Sequence, residues 1–292
     1  MTVTSEVSQV ITQLRRQVCE LHAELTRYQL VIWTAGNVSA RVPDRELMVI
    51  KPSGVSYDSM TPEQMVVCDL HGELVDGELA PSSDTAAHAY VYRHMPEVGG
   101  GVVHTHSTYA TAWAAVGGEP IPCILTMIAD EFGGEIPVGP FARIGGDDSI
   151  GRGIVETLRG SRSAAVLMAN HGPPFTIGPD ARSAVKAAVM LEDVARTAYL
   201  SRQLGRPAEL SAGDVTALYE RYQNVYGQKE ADVQDHGKSC QKRDLVRHRQ
   251  PVAVRSGDPG PGCRAITDHR RPAGRQCGPA GPGGVEARRH HR

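Results

Sequence analysis

Two histidines separated by one residue, His104 and His106, are the first candidates for chemistry in this sequence. The apolar residues before them predict a β-strand, in which every second side chain lies on the same face, about 6.6 Å apart. Two imidazoles at that spacing can bind one metal ion. A solvent-facing pair on an edge strand has the same pattern, so the spacing alone leaves both interpretations open.

Two further side chains favour a metal site. Asp84 follows two serines at a predicted helix start, and His171 stands beside a glycine where a predicted strand ends. Three imidazoles and one carboxylate suit a borderline cation such as Zn²⁺, whereas Mg²⁺ and Ca²⁺ prefer oxygen ligands. The sequence therefore predicts one zinc ion per subunit. We expect surface or core roles for the histidines without a partner at ligand spacing, which are His22, His71, His88 and His94.

A second group of residues has the chemistry to hold an anion. The group consists of Gly36, Asn37, Lys51, Ser53, Gly54, Ser82 and Ser83. Glycines allow the backbone to approach a ligand, Ser and Asn side chains donate hydrogen bonds, and Lys supplies a positive charge. Ser82 and Ser83 also precede a predicted helix, whose first N–H groups attract anions. Together they predict a phosphate site, although each one alone is typical of a turn or a helix cap.

The elements that must position these residues alternate between helices and strands, which predicts a layered α/β body. Apolar residues at helical spacing predict helices over residues 7–28 and 180–204. Another helix begins at Ser82 or Asp84, and a further one is capped by Ser107. Short strands are predicted over residues 38–41, 47–50, 102–106 and 164–168.

The composition changes at residue 229. Residues 229–292 contain 14 Lys or Arg, 7 Asp or Glu, 9 Gly and 6 Pro, but none of the 14 aromatic residues. Their net charge is +7, against −9 for residues 1–228. So few apolar side chains do not compensate the ordering entropy of about 1–2 kcal/mol per residue. We expect a catalytic domain over residues 1–228 and a disordered basic tail, either a polyanion-binding arm or a segment without a selected role.

The charge and composition of the whole chain argue against several classes of protein. The net charge of −2 disfavours nucleic-acid binding, and no apolar run has the length of a membrane span. Residues 1–9 lack the pattern of a secretory signal, which predicts a cytoplasmic location. Cys19, Cys68 and Cys123 show no Cys-x-x-Cys spacing, so neither a thiolate metal site nor a disulfide framework is expected.

Five motifs, in this order, resemble the class II aldolase/epimerase family over residues 7–228. They are Gly36-Asn37-Val38-Ser39, Lys51-Pro52-Ser53-Gly54-Val55, Pro81-Ser82-Ser83-Asp84, Val103-His104-Thr105-His106-Ser107 and Asn170-His171-Gly172-Pro173. The resemblance implies a single three-layer α/β/α domain with a central, largely antiparallel sheet. It also implies that zinc is held by Asp84, His104, His106 and His171, and phosphate by Gly36-Asn37, Ser53-Gly54 and Ser82-Ser83.

The same resemblance implies two acid/base residues. Ala129-Asp130, followed by Gly133-Gly134-Glu135-Ile136-Pro137, is similar to the segment that carries an acid/base Asp. Val225-Tyr226-Gly227-Gln228 is similar to the C-terminal segment that carries an acid/base Tyr. In the family, this Tyr reaches the site of a neighbouring subunit in a homotetramer, so we expect active sites between subunits here.

Within the family the likeness is greatest to L-ribulose-5-phosphate 4-epimerases, which implies a phosphorylated ketopentose substrate. Epimerisation would proceed by retro-aldol cleavage, rotation of the aldehyde fragment and re-addition, with zinc as Lewis acid and Asp130 and Tyr226 transferring protons. The main alternative is an aldolase of the L-fuculose-phosphate type, which releases both fragments. Such aldolases typically carry Glu where this chain has Asp84, which favours epimerisation.

Two alternatives from other classes have less support. A zinc hydrolase is disfavoured because the sequence has no His-Glu-x-x-His. A binding protein without activity would lack a zinc ligand or Tyr226, and the sequence retains all of them.

Overall fold

The fold is that of a computed structural model, which describes residues 5–97, 99–142, 149–170 and 174–225. The contacts between residues place all of these in one unit. The domain boundary expected at residue 228 and the tail of residues 229–292 lie outside the described residues. In the part of the chain that the structure describes, no helix combines the length and apolarity needed to cross a membrane.

The centre of the fold is an eight-stranded sheet. Its strands are β1 (Asn37–Arg41), β2 (Leu47–Ile50), β3 (Val66–Asp69), β4 (Leu74–Asp76), β5 (Gly101–His104), β6 (Val138–Gly139), β7 (Ala165–Met168) and β8 (Phe175–Gly178). They follow the order β4-β3-β2-β1-β5-β8-β7-β6. Every neighbouring pair is antiparallel except β6 with β7. The expected largely antiparallel sheet is confirmed.

Helices cover both faces of the sheet. They are α1 (Ser5–Arg27), α2 (Thr85–His94), α3 (Thr108–Val116), α4 (Thr126–Phe132), α5 (Ser149–Leu158), α6 (Ala181–Leu204) and α7 (Ala212–Val225). In β2, Met48 and Ile50 pack with residues of α2 and α5, while Val49 packs with residues of α1 and α6. Because strand side chains alternate between faces, one short strand serves two cores. The three α/β/α layers are therefore confirmed.

The strand that was expected to carry both histidines ends earlier than predicted. Strand β5 ends at His104, so His106 does not lie on it. The Thr105 N–H donates to the carbonyl of Pro174 (3.2 Å), and the His106 N–H donates to that of Leu30 (2.8 Å). The Thr105 bond continues the pairing with β8, in which residue 105 stands opposite residue 174. The His106 bond instead goes to the segment before β1 and not to the ladder with β1. The strand predicted over residues 102–106 therefore extends two residues too far, and of the two histidines only His104 lies on β5.

The cap of α3 also differs from the prediction. Ser107 occupies the N-cap position, but its side chain makes no capping hydrogen bond. Instead, the carboxylate of Glu192 in α6 accepts hydrogen bonds from the N–H groups of Tyr109 (2.9 Å) and Ala110 (3.0 Å). The negative charge stabilises the positive end of the helix dipole. A side chain more than 80 residues away thus fixes the start of the helix that follows His106.

Candidate active site

A cavity of about 250 Å³ lies where the loop before β1, the turn after β2, the start of α2 and the end of β5 meet. The register of the sheet creates this meeting point because Asn37 pairs with His104 in adjacent strands. The cavity is lined by Thr34, Ala35, Gly36, Asn37, Lys51, Ser53, Gly54, Ser82, Ser83, Asp84, His104 and His106. Every predicted metal or phosphate residue that the structure describes is in this set.

One side of the cavity holds the candidate metal ligands. Asp84 and His104 are both buried, and Oδ2 of Asp84 lies 3.9 Å from Nε2 of His104. The rings of His104 and His106 are nearly perpendicular, with centroids 5.1 Å apart. Phe175 of β8 stacks on His104 at 4.3 Å, which fixes the plane of that imidazole. The residues that carry this carboxylate and these two imidazoles all line the cavity.

The donor set is compatible with zinc. Two atoms bound to one tetrahedral zinc at about 2.1 Å stand about 3.4 Å apart. The separation of 3.9 Å between Asp84 and His104 is close to that value. Within the described residues, no group of three or more His, Cys, Asp or Glu side chains is close enough together to hold a metal ion. The fourth predicted ligand, His171, lies outside the described residues.

Asn37 fixes the position of the Asp84 carboxylate. Asp84 is the N-cap residue of α2, but its side chain makes no capping bond. Instead, Nδ2 of Asn37 donates to Oδ2 of Asp84 (2.7 Å) and to Oγ of Ser82 (2.9 Å). Within the described residues, Oδ1 of Asn37 is buried without a hydrogen-bond partner. A buried unpaired carbonyl is costly, and a donor on a bound ligand would remove that cost.

Lys51 supplies the positive charge on the other side of the cavity. Although it is only 2% exposed, its Nζ donates to the carbonyls of Thr34 (3.1 Å) and Pro52 (3.2 Å). An ammonium has three N–H donors, so the bonds to described residues leave one donor for an anion. Burial lowers the pKa of Lys51 below its ordinary value, and the charge of Asp84 opposes that shift. The site thus contains a cation held in place by backbone carbonyls.

The loop before β1 depends on a glycine and a tyrosine. Gly36 has φ +86°, and a Cβ there would lie 2.6 Å from Cγ1 of Val31 and 2.9 Å from the carbonyl of His104. The hydroxyl of Tyr57 donates to the carbonyls of Ala35 (2.8 Å) and Gly36 (3.0 Å). Only glycine therefore fits this close approach to β5. Sequence reasoning did not identify Tyr57, whose only sequence cue is its place three residues after Gly54.

The same loop carries an exposed aromatic residue beside the cavity. Trp33 precedes Thr34, which lines the cavity, and has φ +58°. Left-handed backbone costs energy for a bulky residue. The residue is nevertheless 88% exposed. Contacts of its indole ring with the rest of this chain therefore contribute little to holding the loop in place.

The four histidines that were set aside do not line this cavity. His22 and His88 are buried, and burial lowers the pKa of each to about 3, so both are neutral. His22 bridges α1 and β1, since Nδ1 donates to the carbonyl of Val18 (2.6 Å) and Nε2 accepts from the N–H of Val38 (2.9 Å). His71 and His94 are exposed. These positions match the expected core and surface roles.

Neither of the two expected acid/base residues is among the described residues that line this cavity. Asp130 is half-buried near the end of α4 and does not line the cavity. Tyr226 lies outside the described residues, one position after the last residue of α7. The described part of one chain therefore brings together the candidate metal and phosphate residues but not the candidate acid/base pair.

Comparison with known proteins agrees with the fold and with the motifs. Residues 16–199 match the family described as Class II Aldolase and Adducin N-terminal domain. An L-fuculose 1-phosphate aldolase structure is 26% identical, with a TM-score of 0.67 over 72% of this chain and 96% of that one.

YgbL proteins, whose name leaves aldolase, epimerase and decarboxylase open, are similar as well. The Klebsiella pneumoniae protein is 31% identical, with a TM-score of 0.62 over 72% of this chain and 99% of that one. The Escherichia coli protein is 27% identical, with a TM-score of 0.60 over 72% and 99%. With its family match spanning more than half of its length, the chain belongs to the class II aldolase family.

Proposed function

We propose that this protein is a zinc-dependent epimerase that inverts C4 of L-ribulose 5-phosphate to give D-xylulose 5-phosphate. The observation that carries the proposal is the single cavity lined by Asp84, His104 and His106 together with the phosphate group of residues. One wall offers metal ligands and the other offers donors for a phosphate. A phosphorylated sugar matches this arrangement, because it has oxygens that can bind a metal ion at one end and a phosphate at the other.

In this proposal, Asp84, His104, His106 and His171 hold the zinc ion. The bound ion supplies Lewis-acid stabilisation of the negative charge that develops when the C3–C4 bond is cleaved. Asn37 keeps the Asp84 carboxylate aimed at the metal through its 2.7 Å hydrogen bond. Replacing such an orienting partner typically lowers metal affinity by about 10–100-fold.

The phosphate is held by Lys51, by Ser53-Gly54, by Ser82-Ser83 and by the backbone at Gly36-Asn37. Retention of both fragments distinguishes an epimerase from an aldolase. The phosphate must stay bound while the aldehyde group rotates, so that re-addition occurs on its opposite face. A charged ammonium that backbone carbonyls hold in position suits that task.

Asp130 and Tyr226 are proposed to remove and return the hydroxyl proton on the two faces of C4. Asp130 does not line the cavity of its own chain. Its role therefore requires that it reach the cavity of another subunit. We propose a homotetramer in which neighbouring chains complete each active site.

An aldolase of the L-fuculose-phosphate type is the second candidate. The observation that favours it is the similarity to an L-fuculose 1-phosphate aldolase, at 26% identity over 96% of that chain. Both reactions begin with the same cleavage of a carbon–carbon bond. They differ in whether the aldehyde fragment leaves before it can be re-added.

The distinguishing experiment is an analysis of products. The purified protein is loaded with Zn²⁺ and incubated with L-ribulose 5-phosphate and, separately, with L-fuculose 1-phosphate. An epimerase forms D-xylulose 5-phosphate without accumulating glycolaldehyde phosphate. Free aldehyde and ketone fragments from either sugar would instead identify an aldolase.

A second experiment uses a chelator to test whether turnover depends on a bound metal ion. Removal of bound metal should abolish turnover, and added Zn²⁺ should restore it. Turnover that persists after metal analysis shows complete removal would contradict the zinc mechanism for either reaction.

A further inference from the structure

A cluster of three side chains joins α4, α6 and α7 away from the candidate active site. The hydroxyl of Tyr222 donates to Oε2 of Glu131 (2.9 Å), and Nζ of Lys186 donates to the Tyr222 oxygen (3.0 Å). Lys186 also forms an ion pair with the same Glu131 oxygen at 2.9 Å. We call these residues the junction cluster. They border a separate cavity of about 360 Å³, which shares no lining residue with the active-site cavity.

The junction cluster is built around a buried charge. The Glu131 side chain is 7% exposed, whereas that of Lys186 is 51% exposed. Burying a carboxylate is costly and is compensated only when its partners have good geometry. Burial tends to lower the pKa of Lys186, but its hydrogen bonds to Glu131 and Tyr222 raise it above the ordinary value. Both charges of the cluster are therefore held in a defined arrangement.

The surrounding contact between α4 and α7 is equally tight. Gly133 ends α4 with φ +65°, and a Cβ there would lie 2.7 Å from Cβ of Arg162 and 2.9 Å from Cδ2 of Tyr219. The guanidinium of Arg162 also lies 5.3 Å from the centre of the Tyr219 ring. Close packing and directional hydrogen bonds thus fix how α7 sits on α4, since hydrogen bonds add a specified distance and angle to the packing.

Both helices of this contact lead to an acid/base residue of the proposed function. Asp130 directly precedes Glu131 in α4, and Tyr226 follows Tyr222 by four residues in the sequence. We propose that the junction cluster is a positioning device, which sets the placement of α4 against α7 and thereby that of Asp130. The inference rests on the proposed function, because that function assigns Asp130 to proton transfer. None of the three cluster residues lines the active-site cavity, so they act through others.

The test replaces the Tyr222 hydroxyl while keeping its ring. Tyr222→Phe removes the bonds to Glu131 and Lys186 and should lower kcat about tenfold, because small displacements of reacting groups are costly. KM should stay within about twofold and zinc content should be unchanged, because substrate and metal bind in the other cavity. Tyr219→Phe is the matched control. It lies one turn earlier on α7, keeps its ring over Arg162 and should retain wild-type kcat.

Lys186 provides a second measurement that does not depend on Tyr222. Lys186→Arg keeps a charged donor and should stay within about threefold of wild-type kcat, while Lys186→Met should fall as far as Tyr222→Phe. Because the cluster acts as a unit, Tyr222→Phe with Lys186→Met should be little worse than either single variant. Amide hydrogen exchange should accelerate in α4 and α7 but not in α1, which reports the loosened contact independently of turnover.

The outcomes separate this proposal from the proposed function. Wild-type protein that turns over neither sugar phosphate contradicts the proposed function. Normal wild-type turnover with unchanged kcat in Tyr222→Phe and Lys186→Met overturns the positioning role alone. Equal losses in Tyr222→Phe and Tyr219→Phe, or a loss confined to KM, would also overturn it, because a general loosening of the fold would then explain the result.

Discussion

Asp84 is a residue type suited to capping a helix, but in this fold its side chain lies in the candidate active site instead. Asp is among the best helix caps, and the sequence places it at the start of α2. Its carboxylate nevertheless accepts from Asn37 rather than from the helix backbone. The helix gives up a cap whose replacement would typically cost about 1 kcal/mol. The side chain is instead held in the cavity beside His104.

Metal content and turnover should separate the two classes of proposed residue. His106→Ala removes a proposed ligand and should lower both zinc affinity and turnover by more than about 100-fold. Asp130→Asn should keep zinc at the wild-type level and lower turnover by about 100-fold, since it removes only the proposed proton transfer. Metal analysis and product formation are measured on the same samples. Full zinc content in His106→Ala would contradict the ligand assignment.

Burial of His22 should make stability depend on pH. Its pKa is about 3 in the folded chain and 6.5 when exposed, so the unfolded chain binds more protons between those values. The free energy of unfolding should therefore fall as pH decreases below 6.5, by at most about 1.4 kcal/mol per pH unit for this group. Buried His88 acts in the same direction.

Urea unfolding between pH 7 and pH 5 measures that slope. His22→Gln should reduce it and should lower stability at pH 7 by about 1–3 kcal/mol, because the bridge between α1 and β1 loses a partner. His71→Gln is the control at an exposed position and should leave the slope unchanged. An unchanged slope in His22→Gln would show that other groups cause the pH dependence.

At the scale of elements, the close approach of α6 to β5 depends on a glycine. A Cβ on Gly101 would lie 2.4 Å from Cα of Ala181, at the start of α6. Gly101→Ala should lower stability by about 3 kcal/mol, because two backbones must move apart. Gly213→Ala is the control in the first turn of α7, where the nearest atom is 3.8 Å away. It should be neutral or stabilising by about 0.5–1 kcal/mol in the same denaturant titration.

The helices and strands were predictable where hydrophobic periodicity or turn chemistry specified them. The apolar stripe predicted α1, and the caps and stops predicted α6. The end of β5 was not predictable, because the His106 N–H bonds to the carbonyl of Leu30, in the segment before β1, and not to β1 itself.

Local sequence patterns could not predict the hydrogen-bond partners that come from distant positions in the chain. Glu192 of α6, which accepts from the first N–H groups of α3, and Tyr57, which donates to the loop before β1, have no spacing signal of their own. The junction cluster is similar, since Glu131 and Tyr222 are 91 residues apart. The motif residues could be predicted because binding a metal ion or a phosphate requires particular residue types. A residue that supports them only has to lie close enough to make its hydrogen bond, and many residue types can do so.

For the whole molecule, the shift in composition at residue 229 predicts that the fold does not depend on the tail. All 14 aromatic residues precede it. A chain ending at Gln228 should keep its melting temperature within about 2 °C, because residues 229–292 contain few large apolar side chains that could stabilise the domain. Its metal content and its oligomeric state in size-exclusion chromatography should also match those of the full-length chain. A large loss of melting temperature would show that residues 229–292 stabilise the domain.

Trp33, which lies beside the cavity at its outer edge (here called the rim), also provides an intrinsic fluorescent reporter of the cavity. The chain has two tryptophans, and Trp113 is only 8% exposed whereas Trp33 is 88% exposed. Iodide in solution should therefore quench the emission of Trp33 and spare that of Trp113. A sugar phosphate or a neighbouring subunit that covers the rim should shift the emission to shorter wavelength and protect it from quenching. Trp33→Phe should abolish both changes, so that occupancy of the cavity becomes measurable without any turnover.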